Sequence, residues 1–323
     1  MYVELLILLA TSIAVTKLAR SVNLSAPLVL VAVGLIVSVL PGIPDFAFTH
    51  SAQAPTVILT LVLPPLLYSA ALDSSYQSFR ANIRSIASLA VLLVIVTTVL
   101  IGFLAHALIP ALPLPTAMVL GAVVAPPDAV AAVAIGRRLG LPRTVMTLLS
   151  GESLVNDASA LTLYKVAIAS ALGTGLSFLQ GAKVFGLAVV VGIAVGLALG
   201  FAVHWVRRHL HDSVLESAVG LLVPFAAYLI SEALQGSGVL AVVCAGLYLG
   251  HNAPQAGYAT RLQETAVWRA VDVLLEGPVF AVIGLQLPSV IATVHGTGVA
   301  TSTLLLAALA LLAAIMAIRV LWM

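Results

Sequence analysis

Charged side chains are scarce in this chain. Asp, Glu, Lys and Arg make up 8% of its 323 residues, about a third of their share in soluble proteins. With 62% hydrophobic residues and a mean hydropathy of +1.18, that scarcity excludes a soluble globular domain. No basic cluster is present to bind nucleic acid, because the few Lys and Arg are scattered through short loops. Cysteine is almost missing. Cys244 alone offers no intrachain disulfide, and its apolar surroundings argue against a thiolate metal site. The seven histidines fall in no metal-binding spacing such as HExxH. The first apolar run also lacks the basic N-terminal flank of a cleavable signal: Glu4 precedes its centre, and Lys17 and Arg20 follow it. That run therefore stays as a membrane span.

What remains is hydrocarbon in segments long enough to cross a bilayer of about 30 Å. Eleven spans are expected, at 2–19, 24–40, 54–72, 84–108, 115–136, 143–172, 180–204, 214–233, 237–250, 266–288 and 300–323. Between them lie short, turn-rich loops such as Leu40-Pro41-Gly42 and Gly173-Thr174-Gly175, so the chain reads as one membrane domain, 1–323, with no soluble insertion. Lys17, Arg20, Arg80, Arg84, Arg137, Arg138, Arg143, Arg207, Arg208, Arg261 and Arg269 all fall at alternate loops. The positive-inside rule assigns those loops to the cytoplasm and places the N-terminus outside. The last apolar run reaches Met323 without a polar flank, which raises the expectation of a fragment.

Against this background four polar residues stand out in spans five and six: Asp128, Glu152, Asn156 and Asp157. An intramembrane Asp costs about 2.5 to 3.5 kcal/mol on insertion, whereas a Leu or Ile returns only about 0.3 to 0.6 kcal/mol, so such acids imply a use. Pro126 and Pro127 stand directly before Asp128. They remove two backbone donors and predict a broken helix, and broken backbone in a membrane is tolerated where it is buried or lines a cavity. The ordinary alternative is a proline kink whose Asp is satisfied by a neighbour. In span six, spacing of four places Glu152 over Asn156 and Ser153 over Asp157 on one helical face. Desolvation penalises the bare carboxylate, so a proton and a monovalent cation compete to neutralise it. A polar network that simply holds helices together is the competing reading for Glu152 and Asp157.

The run Pro126-Pro127-Asp128-Ala129-Val130-Ala131 followed by Gly151-Glu152-Ser153-Leu154-Val155-Asn156-Asp157 resembles the NhaP-type monovalent cation:proton antiporters. Leu63 to Tyr68, Ser237-Gly238 and Gly284-Leu285-Gln286 are similar to weaker signatures of that family. The resemblance implies an all-α polytopic membrane protein with the sodium/proton antiporter fold, lacking the last two helices of a thirteen-helix pattern. It implies a transport core at about 84–172 plus 300–323, and scaffold helices, used for dimerisation, at about 1–72 and 180–288. Asp157 matches the carboxylate that carries Na⁺ or H⁺, with Asp128 and Ser153 as further oxygen ligands and the backbone around Pro127 adding carbonyls. Asn156 matches the neighbour found in electroneutral one-for-one exchangers. Glu152 matches an acid paired with an arginine, for which Arg319 stands in the right place; the alternative is that Arg319 snorkels to the interface. Two positions depart from the pattern. Pro127 replaces a frequent Thr, and Ser69 stands where some members carry Glu, so cation preference is expected to differ.

The expected function is thus exchange of H⁺ for Na⁺, or for K⁺ or Li⁺, across the plasma membrane, by a lipid-embedded homodimer that uses no cofactor and serves pH and sodium homeostasis. Two other classes compete: an intramembrane aspartyl enzyme using Asp128 and Asp157, which would need a Gly-x-Gly-Asp motif that is missing, and a truncated, non-transporting membrane protein. Asp272 and Glu276 read as a wet face or as part of a cytoplasmic acidic funnel. Lys165 lacks an evident partner. His204, His209 and His211 read as loop histidines with a pH-sensing alternative.

Overall fold

The structure is a computed structural model, and it describes residues 2–22, 24–40, 58–127, 136, 139–172, 178–210, 212–255, 257–295 and 301–322. Every expected span overlaps a described helix. In chain order these are α1 Tyr2–Ser21, α2 Ala26–Val39, α3 Leu63–Leu72, α4 Ile83–Leu108, α5 Leu114–Val124, α6 Arg143–Ala171, α7 Phe178–Leu210, α8 Ser213–Ala233, α9 Gly238–Asn252, α10 Tyr258–His295 and α11 Thr301–Trp322. The fold is all-helical among the described residues, as a chain in lipid requires, since only a helix or a closed barrel satisfies its own backbone there. Five helices are long and apolar enough by themselves to cross a membrane: 83–108, 180–210, 213–233, 258–288 and 302–322.

Local sequence sets the helix ends. Asp212 accepts from the amides of Val214 and Leu215 and starts α8, Ser237 caps α9 through Leu240 N–H, and α2, α3 and α5 each carry proline in the first turn, at Pro27, Pro64 and Pro115. Gln235, with φ of 58°, turns the chain sharply between α8 and α9. As expected, α5 stops at the double proline: its last helical residue is Val124. Ala125 keeps right-handed helical torsions (φ −66°, ψ −44°) even though it precedes Pro126, so the break falls at the prolines themselves. Two π turns, Ile58–Val62 ahead of α3 and Ser88–Leu92 within α4, shift the register of helices next to α6.

Helix α9 is the most enclosed element and the centre of the larger apolar core, with Val239, Ala241, Val242, Val243 and Ala245 almost wholly buried. Lipid supplies no hydrophobic drive between helices, so close approach through small residues holds them together. Gly192, Gly196 and Gly200 form such a stripe on α7, against Ser237, Ala241 and Tyr248. A Cβ on Gly196 would lie 2.8 Å from Cys244 Cβ and closer still to Ala241 O. Gly196→Val is therefore expected to destabilise the protein by about 1–3 kcal/mol through overpacking, seen as a lower melting temperature of the purified protein in detergent.

Packing falls into two groups. Helix α5 crosses α4 closely, with Gly121 against Thr98 and Gly102 against Met118, α6 lies on both, and α11 packs on α4. The other group joins α1, α2, α3 and α7 to α10; Gly34 of α2 meets Gly284 of α10 there. Between the groups, α6 touches α3, α7 and α9.

Candidate functional site

The polar face of α6 packs against α5 near the end of that helix. Asp157 lines a cavity of about 350 Å³ together with Ala122, Val123 and Pro126 of the α5 end, Leu161 and Tyr164 of α6, and Leu63 of α3. This open cavity lies between the two packing groups and brings the double-proline break to the carboxylate. The residues on α6 that share it lie C-terminal to Asp157, and those on α5 lie mostly ahead of the break, which by the loop charges is the outer half of the molecule. Ser153 is half-buried one turn before Asp157 on the same face. Pro127 is the last described residue of the break, and Asp128 lies outside the described residues.

Deeper in the same face, Glu152 is 2% exposed and Arg319 Nη2 donates to both of its carboxylate oxygens at 2.7 Å. Arg319 therefore pairs with Glu152 across the α6–α11 contact and does not merely snorkel. Trp322 Nε1 donates to Ser88 Oγ at 3.2 Å, so the end of α11 is also fastened to the π turn of α4. Asn156 is completely buried, and among the described residues neither its amide nitrogen nor its amide oxygen has a hydrogen-bond partner. Burying an unsatisfied amide costs about 1–3 kcal/mol, a cost tolerated here one residue from Asp157. Ser159 and Thr162 instead turn their hydroxyls back to carbonyls of their own helix, Val155 and Ala158.

Several other charges have partners that the sequence did not disclose. Lys165 Nζ donates to both oxygens of Glu232 at 2.8 and 2.6 Å. Arg207 pairs with Glu264 at 2.6 Å, largely buried beside the Tyr68–Trp268 ring contact. Ser69 donates to Asp272 Oδ2 at 2.8 Å, so the α3 hydroxyl is matched by an acid on α10. His209 Nδ1 lies 2.8 Å from Trp205 O, while His211 lies outside the described residues. A depth argument was the available signal for Lys165 and Glu232. Lys165 lies about 33 Å along α6, and Glu232 about 28 Å along α8, from helix starts on the same side of the membrane.

Residues 6–323 match the family described as "Sodium/hydrogen exchanger, transmembrane". An uncharacterized Na(+)/H(+) exchanger of Mycobacterium tuberculosis is 34% identical over 326 residues, covering 99% of this chain and 58% of that protein. The uncharacterized Na(+)/H(+) exchanger YjcE of Escherichia coli is 36% identical over 278 residues, covering 83% of this chain and 49% of its own length. A "Sodium, potassium, lithium and rubidium/H(+) antiporter" of Bacillus subtilis is 30% identical over 92% of this chain and 45% of that protein. The chain thus spans about half the length of these relatives. Its fold is similar to that of the sodium proton antiporter MjNhaP1 from Methanocaldococcus jannaschii, with a TM-score of 0.70 and 21% identity over 87% of this chain and 69% of that one.

Proposed function

Because the chain belongs to the sodium/hydrogen exchanger family, we propose that it is a secondary antiporter that exchanges H⁺ for a monovalent cation across the plasma membrane by alternating access. The observation that carries this reading is Asp157 on a cavity that also holds Pro126 of the broken α5. A carboxylate there is costly when bare, so the protein moves it loaded with either a proton or a cation, and the competition between the two is the exchange. Asp157 is the carrier in this proposal. Ser153, Asp128 and the carbonyls near Pro127 complete the oxygen shell, and the buried amide of Asn156 supports the site without adding a charge. With one titrating carboxylate at the Asn156–Asp157 pair, exchange is electroneutral and one for one.

Helices α4, α5, α6 and α11 form the moving core, and α1, α2, α3 and α7 to α10 the scaffold through which two copies associate. Na⁺ is the favoured cargo. The Bacillus subtilis relative, whose name includes potassium, lithium and rubidium, supports a site open to other alkali cations. An intramembrane protease is not favoured, since the family is one of exchangers.

The test is reconstitution of purified protein into liposomes holding a pH dye. An imposed Na⁺ gradient is expected to drive proton movement, and clamping the membrane potential with K⁺ and valinomycin is expected to leave the rate unchanged. Absence of any cation-driven pH change removes the proposal; a rate that follows the clamped potential removes electroneutrality.

A further inference from the structure

Three ion pairs join described residues, and they differ in a systematic way. Glu152–Arg319 links α6 to α11, with side chains 3% and 23% exposed, and Arg207–Glu264 links α7 to α10, with side chains 13% or less exposed. Each of these ties helices within one packing group. Lys165–Glu232 is the pair that crosses between groups, from α6 to α8, and it is the exposed one, at 49% and 30%. Buried pairs are expensive to break, whereas exposed pairs contribute little and reform readily. The strong links therefore lie where no relative motion is expected, and the weak link lies across the boundary that alternating access would shear.

Its two halves are also mounted differently. Glu232 is fixed to the scaffold, because its Oε1 accepts from Gly238 N–H at 3.2 Å and so rests at the N-terminus of the buried helix α9. Lys165 rides on α6, two turns beyond Asp157, and its neighbour Tyr164 lines the Asp157 cavity. Displacement of α6 along α8 by a few ångströms exceeds hydrogen-bond reach and parts the ammonium from the carboxylate. The pair sits near the outer ends of α6 and α8, about 33 and 28 Å from their cytoplasmic starts, where the headgroup region and water lie within reach of both ions, so opening leaves no stranded charge.

We propose that Lys165 and Glu232 form an outer-face latch that closes in the conformation with the cavity on the outer side of Asp157 and opens when α6 moves to the other. This rests on the exchanger reading given above. It makes Glu232 a positioning residue that sets how the two conformations are populated, with no contact to the transported ion.

Two measurements decide it, both in a Cys244→Ala background. In the first, Lys165→Cys and Glu232→Cys are joined by a short, reducible bis-methanethiosulfonate linker. Cation-driven exchange is expected to fall to the liposome background and to recover on reduction, whereas unchanged exchange after linking overturns the latch. In the second, Leu161→Cys in the cavity wall is labelled from outside by a membrane-impermeant maleimide. Glu232→Gln keeps an oxygen for Gly238 N–H but removes the charge, so α9 retains its start while the latch is weakened. Labelling is expected to slow by about fivefold, equivalent to ~1 kcal/mol at 1.4 kcal/mol per tenfold. An unchanged rate overturns the latch. Labelling needs no transport, so a parent protein that fails to exchange sinks the exchanger proposal while the labelling rate still judges the latch by itself.

Discussion

Asp157→Asn is expected to reduce cation-driven proton movement in proteoliposomes to the rate of protein-free vesicles while leaving the protein folded. The substitution keeps the shape of the side chain and changes only its ability to titrate and to hold a cation. Asp157 borders a cavity of about 350 Å³, so the amide has room and water within reach, and the stability cost should stay within ~1 kcal/mol. Binding supplies an independent readout. A ligand present at a hundred times its dissociation constant stabilises the folded state by about 2.7 kcal/mol, so the parent should melt at a higher temperature in excess Na⁺ than in choline, and the variant should not. Exchange that persists in Asp157→Asn would place the carrier on another residue. Lost exchange with retained Na⁺ stabilisation would separate cation binding from proton coupling.

Arg319→Leu should have the largest effect on folding. Glu152 is 2% exposed and receives both of its 2.7 Å hydrogen bonds from Arg319 Nη2. Removing the guanidinium strands a carboxylate in a low-dielectric interior, which costs about 3–5 kcal/mol when one partner of a buried pair is deleted. Thermal unfolding in detergent should show a large drop or a failure to purify as a monodisperse species. The double change Glu152→Gln with Arg319→Leu removes the stranded charge and is expected to recover most of that loss. Equal instability of the single and double variants would mean that the α6–α11 contact depends on packing by the Arg319 stem, and the ion pair would lose its assigned role. A third variant, Trp322→Phe, removes only the 3.2 Å bond to Ser88, and its effect should be about 1 kcal/mol.

Much of the architecture was legible because lipid simplifies the grammar of a sequence. Every span had to be apolar and self-satisfied, so hydropathy located helices α1 to α11 to within a few residues at most ends, and alternating Lys and Arg gave the direction expected of them. A clear boundary difference is at α10. The structure begins it at Tyr258, ahead of the expected 266, because Arg261, Glu264 and Arg269 depress the hydropathy of a turn that is nonetheless helical. The α5 break was legible because two adjacent prolines leave the backbone no alternative. Asp157 was legible because an acid in hydrocarbon is too costly to be incidental.

Partner choice was not legible in the same way. Lys165 and Glu232 are 67 positions apart in sequence, and Ser69 and Asp272 are 203 apart. Read alone, Lys165 lacks an evident partner, Glu232 sits at a span end, Asp272 reads as a wet or funnel-lining acid, and Ser69 stands out only as a departure from the family pattern. Arg319 was undecided between the interface and Glu152, and only the packing of α11 on α4 beside α6 brings the guanidinium to the acid. Nor does any local pattern say that Asn156 is left without a hydrogen-bond partner among the described residues. That follows from which helices enclose it.

The sequence by itself thus determined the membrane class, the place where α5 stops and the presence of costly acids in spans five and six, since each follows from solvation energies and backbone chemistry acting over a few turns. The tertiary structure alone decided which charges meet, which pair is buried and which exposed, and that an open cavity joins Asp157 to Pro126 and Leu63. Those outcomes depend on how small-residue stripes let the helices approach, and distance in sequence carries no record of that approach.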